Sequence, residues 1–300
     1  MSTAHVLGDW GTSRLRLYRI SGGAVTGRLD GPGIGTAAGS AEAVLADRLN
    51  DWLREGPLES VTLCGMAGAR GALVEAGYSP CPASRDEWLR SRSRLTVAGL
   101  PVAVLPGLSC RSAGGVPDVM RGEETQIFGA LSLHGELTQG DHVIALPGTH
   151  CKWVRLRGGA VEAFSTWPTG EFFALLSEQS TLTGPPSPGS GTFDDGFERG
   201  LTRRGEPVMA ALFEARAARM LDGRSQEWSR GLLSGLLIAA ELAALSDAES
   251  DVALIGEPEL VALYERALAQ SGRTARRIDA EAAVIAGLEL ARGAERKDKP

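Results

Sequence analysis

The first feature of the chain is an alternation of apolar and polar positions that predicts a strand, a tight turn and a second strand. The apolar pair Val6-Leu7 favours a strand, residues 9–13 interrupt the apolar run, and a period of two resumes over residues 14–19. Gly22-Gly23 then predicts a turn into a third strand. The chain is therefore predicted to open with three consecutive strands.

The same pattern recurs in the second half of the chain. Residues 142–147, 151–157 and 160–165 predict three strands, with turns at residues 148–150 and at Gly158-Gly159. A strand, a Gly-Thr turn, a basic strand, a Gly-Gly turn and a strand thus occur twice in the same order. This recurrence predicts an internally duplicated chain.

Helical spacing of apolar residues and short apolar runs predict the elements that follow each set of strands. The predicted helices are residues 40–54 with Ser40 as N-cap, a helix whose opening turn is residues 122–125, a helix starting at residue 169, and residues 209–220, 228–245 and 280–290. Buried strands are predicted at residues 61–64, 100–105 and 252–255. The alternation of strands and helices indicates an α/β fold that binds ligands at the carboxyl ends of its strands.

Two segments are predicted to lie outside regular structure. Residues 184–191 are rich in glycine and proline and predict a flexible loop, and residues 297–300 predict a frayed tail. Residues 33–38 match the Gly-x-Gly-x-x-Ala pattern of dinucleotide-binding proteins, but they do not join the first strand to a helix, which disfavours a dehydrogenase. The sequence Gly-x-x-x-x-Gly-Lys-Ser/Thr does not occur, which excludes a P-loop.

Composition is typical of a soluble globular protein and narrows the choice of partners. The 300 residues are enough for two domains, and 43% are hydrophobic and 23% charged. The net charge of −6 argues against a general nucleic-acid binder and leaves any anionic substrate to local arginines. The cysteines and histidines are scattered along the chain, which disfavours a structural zinc site. The four cysteines fit a protein of the reducing cytoplasm. The longest apolar stretch, residues 231–240, is too short to span a bilayer and predicts a buried helix, or a homo-oligomer interface if it is not core.

The turn after the first strand carries candidate chemistry. Asp9 is followed closely by Gly11, Thr12 and Ser13, so that a carboxylate able to hold a cation lies beside free backbone N–H donors. Such a site can hold a metal-bound phosphate, whereas an ordinary hairpin would use Asp9 and Thr12 only to satisfy the turn. Both interpretations stay open on these residues alone.

A set of short motifs, spread in order over nearly the whole chain, resembles the 2-dehydro-3-deoxygalactonokinase family of the actin, hexokinase and Hsp70 ATPase superfamily. The motifs are Asp9-Trp10-Gly11-Thr12-Ser13, Gly65-Met66, Tyr78-Ser79-Pro80-Cys81-Pro82, residues 118–126, Pro147-Gly148-Thr149-His150 with Lys152-Trp153, Thr169-Gly170-Glu171, residues 233–237 and Leu254-Ile255-Gly256. The resemblance implies two ribonuclease H-like (actin-like ATPase) α/β domains with a nucleotide and substrate cleft between them. These would be residues 1–135 and 136–300, with the last helix packing back on the first domain.

The resemblance also implies the activity, which is ATP-dependent phosphorylation of the terminal hydroxyl of a 2-keto-3-deoxy sugar acid in galactonate degradation. It places Mg²⁺ at Asp9 and the phosphates of ATP on two loops, which are Gly11, Thr12 and Ser13 in the first and Gly148 and Thr149 in the second, with His150 and Lys152 nearby. Gly256 would let the nucleotide approach the backbone. ATP and Mg²⁺ are thus the implied cofactors.

The transfer also needs a group that takes the proton of the acceptor hydroxyl and a group that binds the substrate carboxylate. Glu123 is the first candidate for the base, followed by Glu124 and then Asp118, whereas acids at a helix start can also serve only the helix dipole. Planar guanidinium groups suit a carboxylate, and the candidates are Arg16, Arg70 and Arg121, each of which could instead be a surface arginine. Met66, Thr169 and Glu171 complete the substrate residues that the resemblance implies.

Among the departures from the family pattern, the one at Ala69 leaves the acceptor open. Ala69 stands where the family usually has Ser, which removes a potential hydrogen bond to the substrate, and Cys151 stands where Ser is usual. Another 2-keto-3-deoxy sugar acid is therefore an alternative acceptor. Two further alternatives are a phosphohydrolase related to exopolyphosphatases, with Glu123 orienting water, and a nucleotide-gated regulatory module.

Overall fold

The computed structural model describes residues 3–185, 189–246 and 250–297. Residues 186–188 of the predicted loop and residues 298–300 of the predicted tail lie outside the described part of the chain. In chain order the strands are β1 (Ala4–Trp10), β2 (Arg14–Ser21), β3 (Ala24–Pro32), β4 (Leu58–Gly65), β5 (Tyr78–Pro80), β6 (Ser93–Val97), β7 (Leu100–Val104), β8 (Gly107–Arg111), β9 (Pro117–Met120), β10 (Asp141–Leu146), β11 (Cys151–Arg157), β12 (Ala160–Trp167), β13 (Asp251–Ile255) and β14 (Thr274–Ile278). The α-helices are α1 (Ala41–Glu55), α2 (Arg85–Arg90), α3 (Glu123–Leu133), α4 (Thr169–Glu178), α5 (Phe193–Leu201), α6 (Val208–Ala211), α7 (Glu214–Leu221), α8 (Gln226–Ala243), α9 (Pro258–Gln270) and α10 (Ala280–Lys297).

Two large sheets share one strand order, which confirms the predicted duplication. The first sheet runs β3-β2-β1-β4-β7-β6 and the second runs β12-β11-β10-β13-β14, so that the first five strands correspond one to one. In the first sheet the hairpin strands pair antiparallel, whereas β1, β4 and β7 run parallel. This is the ribonuclease H-like arrangement, and the predicted α/β fold class is confirmed.

The register of the first sheet brings the candidate chemistry to one edge. Asp9 lies opposite Arg16 on β2 and opposite Cys64 on β4, and Trp10 lies opposite Gly65. The turn between β1 and β2 and the loop after β4 therefore leave the sheet at the same end, where ligands bind in such folds.

The first of the chain's two compact units comprises Met1–Asp141, Val154–Phe164 and Asp279–Pro300. Its core packs α1 against the first sheet through Trp10, Leu45 and Leu49. A smaller sheet, β5-β8-β9, leads directly into α3. The last helix, α10, packs on α3, and a Cβ at Gly129 or Gly287 would collide with backbone of the opposite helix. The two glycines therefore allow the close approach of these helices.

The second unit comprises His142–Trp153 and Ser165–Ile278 and is built around α8. Apolar residues of α8 such as Leu232, Ile238 and Leu242 are buried, and α4, α5, α6, α7 and α9 all contact this helix. The sequence prediction of a buried helix is thus confirmed, and the apolar surface is used inside the unit. None of the helices in the described ranges is long and apolar enough to cross a membrane.

Local differences from the predicted elements follow from packing. Ser40 caps α1 as predicted, because its side chain accepts a hydrogen bond from the Ala43 N–H at 3.2 Å. The predicted continuous helix over residues 209–220 is wrong: α6 and α7 are separated at Leu212 and Phe213, and the N–H groups of Phe213 and Ala215 bond carbonyls three residues back. Ala211 and Leu212 are buried in the core at this break while Phe213 is exposed, so that tertiary packing overrides local helix propensity.

Candidate active site

The turn between β1 and β2 is exposed to solvent and is held in place by the loop that follows β3. Thr12 and Ser13 are exposed, and the Gly11 N–H donates to the Arg14 carbonyl at 2.8 Å. The glycine loop after β3 supports this turn, because the Gly35 N–H donates to the Thr12 carbonyl at 2.9 Å and a Cβ at Gly35 would lie 2.9 Å from the Thr12 methyl group. The dinucleotide-like pattern thus serves to shape the candidate phosphate turn.

Asp9 is a carboxylate held between a cation and a thiol at the end of β1. Its Oδ2 lies 3.9 Å from Arg16 Nη1, and the Cys64 thiol donates to Oδ1 at 3.8 Å. About a quarter of the side chain is exposed, yet the surrounding protein removes most of its hydration. This burial raises the pKa of Asp9, Arg16 and the Cys64 hydrogen bond oppose the rise, and the negative charge of Glu123 adds to it. Asp9 and Glu123 therefore belong to one electrostatic site.

The two glutamates at the start of α3 have different environments. Glu123 is half-buried and its Oε2 accepts the Arg121 N–H at 3.1 Å. Glu124 is fully buried and accepts hydrogen bonds from the Gly122 N–H at 2.7 Å and the Thr125 hydroxyl at 3.2 Å. Burial first, and then the charge of Glu123, raises the pKa of Glu124 to about 8. Glu124 is thus mostly protonated at pH 7, whereas the side chain of Glu123 keeps partial access to solvent.

A left-handed backbone brings the start of α3 close to β4. Gly122 has φ of +111° and Gly65 has φ of +77°, and a Cβ on Gly122 would lie 3.4 Å from the Gly65 Cα. A Cβ on Gly65 would lie 2.7 Å from the Trp10 carbonyl oxygen. These two glycines therefore let the loop after β4 and the α3 start approach the strand that carries Asp9. The third candidate base, Asp118, lies on β9 and accepts the neighbouring Val119 N–H at 2.7 Å.

The three candidate arginines differ in how much of the guanidinium group is available. Arg121 packs over the Tyr78 ring at 4.3 Å, donates to the Gly77 carbonyl at 2.7 Å, and would clash with a Cβ on Gly68. Its Nε and Nη1 are shielded from solvent. Arg16 is 39% exposed beside Asp9, and Arg70 is 90% exposed near Glu75. Arg70 follows the short turn Met66–Gly68 in which Met66 is half-buried.

The second predicted phosphate turn, residues 148–150, is held by the start of α4. The Glu171 N–H donates to the Thr149 carbonyl at 3.0 Å, and a Cβ at Gly170 would lie 2.8 Å from the Thr149 Cα. His150 Nε2 and Glu171 Oε2 are 2.8 Å apart on the exposed side. Lys152 is buried beneath the turn, with its Nζ 3.5 Å from the His150 carbonyl.

Gly256 lies at the carboxyl end of β13, next to the same turn. A Cβ at this position would lie 3.0 Å from the Pro147 carbonyl oxygen, so that a side chain would push the two strand ends apart. The glycine therefore keeps the neighbouring strand end in place.

Sequence reasoning missed Glu241, which is buried on α8. The Trp153 indole N–H donates to its Oε2 at 2.6 Å, the Tyr264 hydroxyl donates to its Oε1 at 2.7 Å, and the Thr169 hydroxyl donates to Oε1 as well. Burial raises the pKa of Glu241, and these hydrogen bonds oppose the rise. The signal in the sequence is a single charged residue between Arg230 and Asp247 in an otherwise apolar helix, since a buried charge requires partners.

Each unit thus contains one group of the predicted residues. The first unit carries the residues Asp9, Gly11, Thr12, Ser13, Arg16, Met66, Arg70, Arg121, Glu123 and Glu124, and the second carries Gly148, Thr149, His150, Lys152, Thr169, Glu171 and Gly256. Across the described residues, no cluster of three or more His, Cys, Asp or Glu side chains could by itself hold a metal ion. A metal at Asp9 would therefore need further ligands from a bound molecule or water.

Comparisons with known proteins agree with one another over nearly the full chain. A family model described as 2-keto-3-deoxy-galactonokinase matches residues 9–291. A probable 2-dehydro-3-deoxygalactonokinase of Rhizobium meliloti (strain 1021) is 37% identical over 296 residues, covering 94% of each chain. The 2-dehydro-3-deoxygalactonokinase of Escherichia coli (strain K12) is 32% identical, covering 96% of this chain and 97% of its own.

A solved structure also matches the fold closely. It is the crystal structure of a Sinorhizobium meliloti protein described as a candidate 2-dehydro-3-deoxygalactonokinase. It is 37% identical to this chain, has a TM-score of 0.85, and the match covers 97% of this chain and 99% of that one.

Proposed function

The chain belongs to the 2-keto-3-deoxy-galactonokinase family, and we infer from this membership that it is an ATP-dependent sugar-acid kinase. Its proposed substrate is 2-dehydro-3-deoxy-D-galactonate, and its proposed product is 2-dehydro-3-deoxy-6-phosphogalactonate, in the degradation of galactonate. Because the reaction consumes ATP, we place the protein in the cytoplasm. We further propose two actin-like domains, residues 1–135 and 136–300, each built on one of the two large sheets.

The observation that carries the mechanism is the difference between Glu123 and Glu124. Glu123 is half-buried, whereas Glu124 is enclosed with its pKa raised to about 8. We assign Glu123 as the general base that accepts the proton of the terminal substrate hydroxyl. The oxygen then bonds to the γ-phosphorus, the bond from that phosphorus to the bridging oxygen breaks, and ADP leaves with the electron pair. Glu124 holds the Gly122 N–H, which fixes the backbone that presents Glu123.

The residues at Asp9 fit a magnesium ion bound mainly by ATP. Mg²⁺ is commonly held by one or two carboxylates together with phosphate oxygens and waters, and Asp9 offers one partly exposed carboxylate of raised pKa beside the open turn. Bound there, Mg²⁺ would neutralise negative charge on the phosphates. The backbone N–H groups of Thr12 and Ser13 are assigned to the phosphates on the same side, and Gly11 shapes the turn, since its own N–H donates to the Arg14 carbonyl.

The second turn is assigned to the phosphates as well. Gly148 and Thr149 form the turn, the buried ammonium group of Lys152 lies beneath it, and His150 is paired with Glu171 at its exposed side. A cation that is shielded from water interacts more strongly with a phosphate than one at the surface. These contacts support a role of this turn in binding ATP.

The central test is whether release of ADP depends on the sugar acid. We expect rapid ADP release with 2-dehydro-3-deoxy-D-galactonate and a rate lower by a factor of about 10² or more without it, since closure around substrate limits hydrolysis. A coupled ADP assay with this acid, its gluconate epimer and simple hexoses measures both. Equal rates with and without acceptor would instead indicate a phosphohydrolase, and inactivity with every keto-deoxy acid would reject the substrate.

The accessible arginines give a second test. We expect Arg70→Ala to raise the KM for the sugar acid about tenfold or more, because a freely exposed guanidinium is available to the carboxylate. The KM for ATP and the melting temperature should change little. Arg121→Ala is the comparison, and it should lower the melting temperature because it removes the contacts to Tyr78 and Gly77. If Arg70→Ala leaves the KM for the sugar acid unchanged, we would assign binding of the substrate carboxylate to Arg16.

A further inference from the structure

Glu241 is a buried carboxylate that takes no part in the proposed chemistry, yet it joins the elements around the second phosphate turn. Its side chain lies on α8 with 1% exposure, and three of its hydrogen-bond donors come from three other elements. Thr169 begins α4, Trp153 lies on β11 and Tyr264 lies on α9. One carboxylate thus connects four elements of the second unit.

The donors require an acceptor with two oxygens. An indole N–H can only donate, so that Trp153 needs an acceptor at Oε2 at all times. The Tyr264 and Thr169 hydroxyl groups both donate to Oε1. Without Glu241, the Trp153 N–H and the Tyr264 hydroxyl would be buried, and the Thr169 hydroxyl half-buried, without this partner. Such unsatisfied groups destabilise the arrangement that buries them.

The contacts of Glu241 reach both sides of the turn at residues 148–150. On the strand side, Trp153 is the neighbour of Lys152, whose Nζ lies below the turn. On the helix side, Thr169 precedes Gly170, which packs on Thr149, and Glu171, whose N–H donates to the Thr149 carbonyl at 3.0 Å. Because Trp153 and Thr169 bind the same carboxylate, Glu241 fixes β11 relative to the start of α4, and these two elements flank the turn.

We propose that Glu241 is a positioning residue for ATP, which holds the turn at residues 148–150 in shape by tying β11 to the start of α4. The inference rests on the proposed function in one respect, which is that this turn binds the phosphates of ATP. Glu241 touches neither nucleotide nor sugar acid in this role and acts through Trp153 and Thr169.

The test separates positioning from general stability. In the full-length enzyme, Glu241→Ala is expected to raise the KM for ATP about tenfold or more while the KM for the sugar acid changes less than about threefold, since small displacements of binding groups have large kinetic effects. Leu242→Ala is the matched control, because Leu242 is buried on the same helix but packs in the apolar core. It should lower the melting temperature without changing the KM for ATP. A Leu242→Ala enzyme with the same rise in KM would overturn the proposal.

Hydrogen exchange measures the positioning without using activity. The Glu171 amide, which donates to Thr149, should exchange about tenfold faster or more in Glu241→Ala than in Leu242→Ala. Equal exchange rates in the two variants would contradict the role of Glu241. If the wild-type enzyme does not bind Mg-ATP in a direct titration, the assignment of ATP to this turn is wrong. The exchange result still decides whether Glu241 holds the turn in shape.

Glu241→Gln covers the case in which the alanine variant does not fold. Its amide oxygen can accept from Trp153, and its amide N–H groups can donate to the Thr169 and Tyr264 hydroxyl groups, which reverse their roles. We expect a smaller rise in the KM for ATP, about threefold, together with a shifted Trp153 indole N–H resonance. A shifted Trp153 resonance with an unchanged KM for ATP and an unchanged Glu171 exchange rate would reject the proposal, because the contacts of residue 241 would then change without affecting the turn.

Discussion

Replacing Glu123 by Gln is expected to lower kcat by a factor of about 10² to 10⁴ while Mg-ATP binding stays near normal, because the amide cannot accept the proton of the acceptor hydroxyl. Glutamine keeps the size of the side chain, and its amide oxygen can still accept the Arg121 N–H. Steady-state kinetics with the sugar acid and a direct titration with Mg-ATP measure the two quantities. The predicted signature is a loss of turnover with retained nucleotide affinity.

Glu124→Gln is the matched control for that experiment. Because the pKa of Glu124 is raised to about 8, this carboxyl is mostly protonated at pH 7, and a neutral amide resembles its state. The amide oxygen can accept from the Gly122 N–H as the carboxyl does. We expect kcat to fall less than about tenfold. A larger loss of kcat in Glu124→Gln than in Glu123→Gln would show that Glu124 is the base.

Asp9→Asn is expected to lower kcat/KM by a factor of about 10² to 10³, since it removes the carboxylate that we propose to hold Mg²⁺ where phosphate charge must be neutralised. The Mg²⁺ concentration needed for half-maximal rate should rise at the same time. A titration of the rate with Mg²⁺ at saturating ATP and sugar acid measures both. Wild-type dependence on Mg²⁺ in this variant would remove Asp9 from the metal site.

The same substitution has the opposite effect on the stability of the ligand-free protein. Burial raises the pKa of Asp9 in the folded chain, so that its ionised form destabilises the fold once the pH exceeds the unfolded pKa of about 4. Asn carries no charge, and we expect a melting temperature about 1–4 °C higher at pH 7.5, with the difference disappearing towards pH 4. A lower melting temperature at pH 7.5 would show that the Arg16 contact outweighs burial.

The pattern of apolar positions was sufficient for the duplicated strands, because alternation and Gly-Gly turns are encoded in neighbouring residues. The shared strand orders β3-β2-β1 and β12-β11-β10 agree with that duplication, whereas β14 was not predicted. The short strands β5, β8 and β9 were not predicted, since three to five residues give too little periodicity to distinguish them from loop. Their omission mattered, because this small sheet places Tyr78 against Arg121 and leads into Glu123.

Sequence analysis identified the two glutamates at the start of α3 as candidates for the base. It offered no physical reason to rank Glu123 above Glu124, because the two side chains are the same and adjacent in the chain. Burial distinguishes them, and burial is a property of the assembled unit. Glu241 illustrates the same limit for residues that are far apart in the sequence. Its donors Trp153, Thr169 and Tyr264 are between 23 and 88 residues away in the sequence, so that no local pattern could connect them.

The packing of α3 on α10 determines the order in which the enzyme can be completed during synthesis. The helix that presents Glu123 is made in the first half of the chain, but its partner, Ala280–Lys297, follows the whole of the second unit in the sequence. Until then Gly129 and Thr125 lack the neighbouring backbone at Ala283 and Gly287. Because domains generally fold as units during synthesis, the whole second unit is available to fold before the first can close. A chain that stops before residue 280 therefore lacks the helix that packs on the α3 backbone at Thr125 and Gly129.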